Sequence, residues 1–266
     1  MDISLMWVAS YIISGLLTGI ISGLTGLSGG IISISVLTYM LELQHYPPED
    51  GYRVSLAVAS FLTLMASPSN AYFHFRQKNF HGPFIKKYLG PIAMGSILGA
   101  VLSHKLPTIF LKITFILICI AVLVKVFWKQ PEPHEGNSEL LDHKGFYLLY
   151  GASGFVSSLV SMGGGSVYLP ILISQRLNIA KAVGTSSLLV LATTIGTAIG
   201  HISVSTNQHY FELINGYLLI YMGIPILIGT KIGSAIIHVI PTKWIKTIFL
   251  TVITLSLLKM IHSLTQ

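Results

Sequence analysis

The chain alternates long apolar stretches with short polar ones, the apolar stretches falling at about 4–25, 30–44, 53–76, 84–104, 107–128, 145–162, 165–177, 181–204, 213–238 and 243–263. A helix needs roughly 20 apolar residues to cross a bilayer, and a lipid-facing barrel strand needs strict alternation. The stretches fit the first requirement and not the second. The pattern predicts an all-α, polytopic membrane helix bundle. One hydrophilic stretch, Lys129–Lys144 (KQPEPHEGNSELLDHK), splits the chain into 1–128 and 145–266. Its Pro, Glu and His content marks a solvated cytoplasmic linker between two membrane units.

Glycines interrupt the apolar pattern at one place in each half. In GASGFVSSLVSMGGGSVYLP (151–170) the run Gly163-Gly164-Gly165 breaks an otherwise apolar segment. Each helical Gly costs about 1 kcal/mol relative to Ala, so three together favour unwinding. In hydrocarbon, unwound backbone is tolerated only where protein buries it or a polar cavity borders it. The first half carries a related break at Gly26–Gly30 (GLSGG). The halves also match in register. Gly19, Gly29 and Gly30 correspond to Gly154, Gly164 and Gly165 at an offset of 135, and Pro91, Gly95, Gly99 and Pro107 to Pro225, Gly229, Gly233 and Pro241 at 134. A run of Gly and Pro in fixed register predicts a duplicated architecture.

Composition narrows the class. Only 9% of the 266 residues are charged and 52% are hydrophobic, against about a quarter charged in soluble domains. Asp2, with no Lys or Arg before the first apolar run, predicts no cleaved signal peptide. The net charge of +7 lies in short loops, which fits the positive-inside bias and lipid headgroups, not a nucleic-acid surface. Arg76, Lys78, Lys86 and Lys87 surround one loop, predicted cytoplasmic; its counterpart, 204–212 (VSTNQHYFE), has no Lys or Arg and is predicted outside. Equivalent loops on opposite sides imply an inverted repeat. Each half then holds a broken or hairpin membrane helix plus three spanning helices. Two broken elements at corresponding places in inverted halves point to a transporter's substrate site.

The chemistry available there suits an anion. A half-helix starting after Gly30, and another after Gly165, would aim free N–H groups and a positive dipole end at the membrane centre. Ser28, Ser33 and Ser166 stand beside the breaks, and Thr185 and Ser186 follow in Val183-Gly184-Thr185-Ser186-Ser187. Ser55 and Ser60 occupy the related part of the first half, where Arg53-Val54-Ser55-Leu56 aligns with Ala182-Val183-Gly184-Thr185. Hydroxyls bind an oxyanion without a fixed charge, although in membrane helices they often bond the i−4 carbonyl instead. Asn70 and His201 complete the candidate substrate-binding set of Ser28, Gly29, Gly30, Asn70, Gly163, Gly164, Gly165, Ser166, Thr185, Ser186 and His201. His74 and Lys231 lie near helix ends, where structural and snorkelling roles suffice. No Asp or Glu falls in the middle of a segment, which argues against a carboxylate proton relay. No cofactor, metal or catalytic residue is expected. Gly95/Gly99 and Gly229/Gly233 read as helix-packing faces, serving the fold or a homo-oligomer equally well.

The duplicated breaks (GLTGLSGG and SMGGGSVYLP), the AVGTSS segment followed by His201, and the glycine-spaced run ending at Ile240-Pro241 resemble the TauE/SafE family of sulfite-exporter-like permeases. The resemblance covers nearly the whole chain and is strongest over 151–241. It implies a multi-pass protein of the bacterial inner membrane that moves small anions, with sulfite, sulfoacetate and related sulfonates as the substrate class. Two other readings compete with it. Gly26-Leu27-Ser28-Gly29 is a GxSG, as in rhomboid-like intramembrane serine proteases, with His201 imagined as the base. A non-transporting membrane assembly factor is the third. The charge argument has its own check. A cysteine placed in the 205–212 loop should react with an impermeant thiol reagent added outside cells, and one in the 77–85 loop should not. Labelling of both from one side would contradict inversion.

Overall fold

The structure is a computed structural model and describes residues 5–25, 29–127, 145–204, 216–236 and 239–264. The expected linker at 129–144, Ser28 and the 205–212 loop lie outside these residues. Every element among the described residues is a helix: α1 (Leu5–Thr25), α2 (Gly30–Leu43), α3 (Pro48–Arg76), α4 (Gly82–Ser103), α5 (Thr108–Phe127), α6 (Gly145–Leu159), α7 (Gly165–Ser174), α8 (Ile179–Val204), α9 (Gly216–Ile236) and α10 (Thr242–His262). Local chemistry sets several of the starts. Pro47-Pro48 opens α3 with Glu49 and Asp50 in its first turn, and Pro241 precedes α10.

Seven of these helices are long and apolar enough to cross a membrane; α2, α6 and α7 are shorter. With 15 and 10 residues, α6 and α7 reach about 22 and 15 Å at 1.5 Å per residue, short of a ~30 Å hydrocarbon core. They form the expected broken pair. Its counterpart differs, because the 21 residues of α1 make that helix a candidate span in its own right.

Packing follows the repeat, with α1 to α5 corresponding to α6 to α10. The most extensive interfaces are α1 against α9 and α4 against α6, so each half's first helix lies on the other half's fourth. The central α3 packs on α8, and α5 on α10. Glycines make the two largest interfaces possible. A Cβ at Gly95 or Gly99 would overlap the carbonyl oxygens of Gly151 and Phe155, and one at Gly229 or Gly233 those of Leu16 and Ile20. Small residues let helices approach until dispersion contacts hold them without a hydrophobic driving force. The packing reading of these glycines therefore holds within one chain.

The turns after α2 and α7 give a sharper register than sequence matching does. His45 (φ 59) and Arg176 (φ 66) both adopt left-handed backbone. The backbone bonds Tyr46 N–H to Leu41 O and Gly51 N–H to Pro47 O recur as Leu177 to Leu172 and Ala182 to Asn178, an offset of 131. At the breaks the offset is 135, because α2 has 14 residues and α7 has 10, one turn fewer. A hydrogen bond confirms the missing turn. Gln44 Nε2 donates to Tyr11 Oη at 2.5 Å, while Tyr150 Oη donates to Gln175 Oε1 at 3.4 Å. Lengthening one arm of an antiparallel pair by four residues moves its partner four residues back on the other arm, from the equivalent of Tyr150 to Tyr11. The matching of Arg53–Leu56 to Ala182–Thr185 is thereby corrected by two positions: Ser55 stands where Ser186 does, and Arg53 where Gly184 does.

The glycine contacts predict a contrast. Gly229→Leu should destabilise by about 1–3 kcal/mol or more by overpacking, seen as a lowered melting temperature in detergent. Gly90 has open space around its Cβ position, so Gly90→Ala should be neutral or slightly stabilising.

Candidate functional site

The two breaks meet. Gly29 (φ 72) precedes α2, and Gly163 (φ 74) and Gly164 (φ 86) precede α7 in the left-handed region that disfavours side chains. A Cβ on Gly30 would lie 2.6 Å from the carbonyl oxygen of Met162, so the start of α2 rests directly on the backbone leading into the second break. At Gly164 a Cβ would strike the ring of Tyr168. Both helix starts are buried, and neither has a side-chain cap. Uncapped N–H groups at a helix start carry partial positive charge.

Most hydroxyls nearby are spent on their own helices. Ser55 donates to Gly51 O, Ser60 to Ala57 O, Ser187 to Val183 O, and Thr193 and Thr197 to carbonyls four residues back. Others knit α8 to its neighbours: Thr193 to Tyr168 Oη at 2.6 Å, Thr194 to Ser67 at 2.8 Å, and Thr197 to Ser158. Among the described residues a distinct set has no partner. The buried hydroxyls of Ser33 in the first turn of α2, Ser166 in the first turn of α7, Ser157 on α6 and Ser186 on α8 make no hydrogen bond. Thr18 on α1, whose Cγ2 lies 3.5 Å from a Cβ position at Gly29, is another. A buried hydroxyl left unpaired costs about 1–3 kcal/mol, and those of Ser33 and Ser166 stand in the first turns after the two breaks.

The remaining expected residues stand elsewhere. Thr185 Oγ1 accepts from the backbone N–H of His81 at 3.0 Å, and His81 Nδ1 accepts from Phe84 N–H at 3.2 Å, capping α4. Gly184 lets the Asn79 carbonyl reach α8 beside it. Thr185 therefore anchors the α3–α4 loop. Burial, and next the charge of Lys181, hold His81 below the ordinary histidine range. Asn70 Oδ1 accepts from Ser234 Oγ at 3.3 Å, joining α3 to α9. Lys231 is exposed. His201 lies 15 residues beyond Ser186, about 22 Å along α8. One small anion does not touch both.

His201 belongs instead to a cluster that sequence reasoning missed. Its Nδ1 shares a hydrogen bond of 2.9 Å with Nε2 of His104, the residue that ends α4. Arg53 stands beside them, donating from Nε to Thr108 Oγ1 at 3.0 Å and from Nη2 to Leu106 O at 2.9 Å. A cavity of about 40 Å³ is lined by Arg53, Leu56, Ala57, Ser103, His104, Leu111 and His201. A larger groove of about 760 Å³ opens at the far end of α2 from Gly30, crossed by an ion pair between Lys259 and Glu42. Nothing in the spacing of Arg53, His104 and His201 signals their meeting, which depends on three helix ends converging.

The geometry defines a polytopic helical membrane protein with two broken helices in contact at its centre, an architecture of transporters. Comparison with known proteins agrees. The family model described as Sulfite exporter TauE/SafE matches residues 11–260, and the chain belongs to that family. It is 27% identical over 248 residues to a probable membrane transporter protein of Methanocaldococcus jannaschii, covering 88% of each chain. It is also 27% identical over 241 residues to the probable membrane transporter protein YdhB of Bacillus subtilis, covering 88% of this chain and 93% of that one. A probable membrane transporter protein of Haemophilus influenzae is 23% identical over 258 residues. No solved structure matches. The protein is a multi-pass membrane transporter, not an enzyme, which sets aside the protease reading of Ser28 and His201.

The histidine pair predicts a pH dependence. Burial, then the Arg53 charge, hold His104 below its ordinary value, and His201 on α8 shares a hydrogen bond with it. A histidine depressed in the folded state is protonated first in the unfolded state. Stability is therefore full above the ordinary value of about 6.5 and is lost as pH falls below it. Thermal unfolding between pH 7.5 and 5 should show a larger loss for the native chain than for His104→Gln. Equal losses would remove His104 from the account.

Proposed function

We propose that the protein is a secondary transporter that exports small anions, of the sulfite, sulfoacetate and organosulfonate class, by alternating access around the two glycine breaks. The observation that carries this reading is the contact of Gly30 with Met162. It brings two uncapped helix starts together, flanked by the unpartnered hydroxyls of Ser33 and Ser166. Two N-terminal dipole ends and neutral donors favour an anion and offer no carboxylate to repel it. Ser28, Gly29, Gly163, Gly164, Gly165 and Ser186 complete the proposed first contacts.

Alternating access needs two halves that exchange roles. The pairing of α1 with α9 and of α4 with α6 supports this, since each pair becomes the other when the halves are interchanged. Opposite orientation in the bilayer comes from the loop charges and is part of the same proposal. Export needs no coupling ion: an inside-negative potential of 100 mV favours expulsion of a single negative charge by about 2.3 kcal/mol. Membrane segments without central carboxylates suit such a carrier.

The test is current from proteoliposomes exposed in turn to sulfite, sulfoacetate, thiosulfate, sulfate, acetate and lactate. The expected result is a saturable current to at least one sulfur anion. Ser166→Ala or Ser186→Ala should weaken its apparent affinity about 10-fold or more, the scale of one hydrogen bond to a charged group. Silence to the whole panel, with no thermal stabilisation by any member, would overturn the substrate class. Stabilisation without current would replace the electrogenic mechanism with an electroneutral one.

A further inference from the structure

The cavity at the end of α3 has a chemistry of its own. Its polar lining comes from Arg53 on α3, Ser103 and His104 at the end of α4, and His201 on α8; Leu56, Ala57 and Leu111 close it with apolar surface. Among the described residues no Asp or Glu lines it. The guanidinium has five N–H donors, and the bonds to Thr108 and Leu106 use two. Those two bonds fix the plane of the group. Three donors remain, and Arg53 forms no ion pair with a carboxylate among the described residues. Glu49, one turn earlier on α3, and Asp50 are exposed in the helix's first turn. Lys112, beside Leu111, is turned to the other side, where Nζ donates to the Ser263 carbonyl at 2.8 Å and to Ser263 Oγ at 2.9 Å.

We propose that this cavity is a binding site for a compact inorganic anion, separate from the glycine breaks. Arg53 supplies the charge, the histidine pair forms one wall, and Leu56, Ala57 and Leu111 exclude bulkier ligands. Its volume of about 40 Å³ sets the size class. A water molecule occupies about 30 Å³ of liquid, so the cavity suits a compact ion such as chloride better than a sulfonate with an organic tail. Arginine keeps its charge at every physiological pH and is less strongly hydrated than lysine, so it loses less on taking a partly desolvated anion. The ion would tie α3 to α4 and α8 where these three helices converge.

The full-length protein in lipid nanodiscs, with chloride as the probe, provides the test. Excess ³⁵Cl linewidth should saturate with chloride against a gluconate background of constant ionic strength. Bisulfite should displace the signal, and 2-hydroxyethanesulfonate should not. Arg53→Gln should weaken binding at least tenfold, while the exposed-loop control Lys78→Gln should not change it. Arg53 also braces the α4–α5 turn, so its variant could fail to fold. Ala57→Val, one turn further along α3, narrows the cavity without removing either Arg53 bond, and it too should abolish the broadening. No saturable broadening in the native chain, or broadening that survives both variants, would overturn the site. Equal displacement by the bulky sulfonate would overturn its size class. Chloride broadening is read without any transport, so failure of the flux assay and failure of this site are separate results.

Discussion

In a hydrocarbon medium the backbone has to satisfy itself, and a broken helix leaves N–H groups without partners. The glycine breaks are arranged around that constraint. The breaks at Gly29 and at Gly163-Gly164 are not covered by separate solutions; each lies against the other, through the contact of Gly30 with Met162. Surrounding helices then seal the pair. Tyr168, the first large side chain of α7, packs its ring against Gly164 and is tied through its hydroxyl to Thr193 on α8. A side chain at Gly30 would strike the Met162 backbone and push the two elements apart.

Bringing the breaks together requires the halves to interlock, and glycine supplies that too. With Gly19 against Gly229 and Gly154 against Ile92, backbone approaches backbone, and each half's first helix is held by the other half. Neither half could keep its broken pair in place alone. The exposed faces of α1, α4, α9 and α10 carry Ile, Leu and Met, including Leu17, Met94, Ile224 and Leu258, as surfaces facing lipid would. The same glycine spacing that suggested a packing face thus positions the site indirectly, by fixing which helices surround it.

What the sequence made legible follows from its medium. Membrane helices announce themselves through uninterrupted hydropathy, and the segment ends were near the observed helix ends: 165–177 against Gly165–Ser174, and 213–238 against Gly216–Ile236. Glycine breaks are equally visible, because helical propensity is a local property. Three things were not legible. The one-turn difference between α2 and α7 is hidden by equally apolar residues, and only the repeated turns at His45 and Arg176 expose it. Whether a hydroxyl is spent on its own helix depends on a rotamer, so Thr185 and Ser186 looked alike. Thr185 accepts from His81, whereas Ser186 has no partner among the described residues. Finally, Arg53, His104 and His201 lie on three different helices, and no spacing rule joins them.

The corrected register also explains why the two ends of the bundle differ chemically. Asn70 on α3 and His201 on α8 occupy equivalent positions at the offset of 131, and each bonds a residue near the end of the helix crossing it, Ser234 on α9 and His104 on α4. The duplicated scaffold has kept a polar tie at both ends and changed its chemistry at one. An amide–hydroxyl pair carries no ionisable group, whereas an imidazole pair does. The register places Gly184, a packing residue beneath the Asn79 carbonyl, where the other half has Arg53. Similarly, Glu42 of the Lys259 ion pair has Ile173 as its counterpart. The Glu42 carboxylate, Arg53 and the imidazole pair therefore share the end that holds His104, while Arg76, Lys78, Lys86 and Lys87 surround the loop at the other end. Two halves that share one backbone plan thus differ in the chemistry of the ties that close their ends, an amide and a hydroxyl in one and two imidazoles in the other.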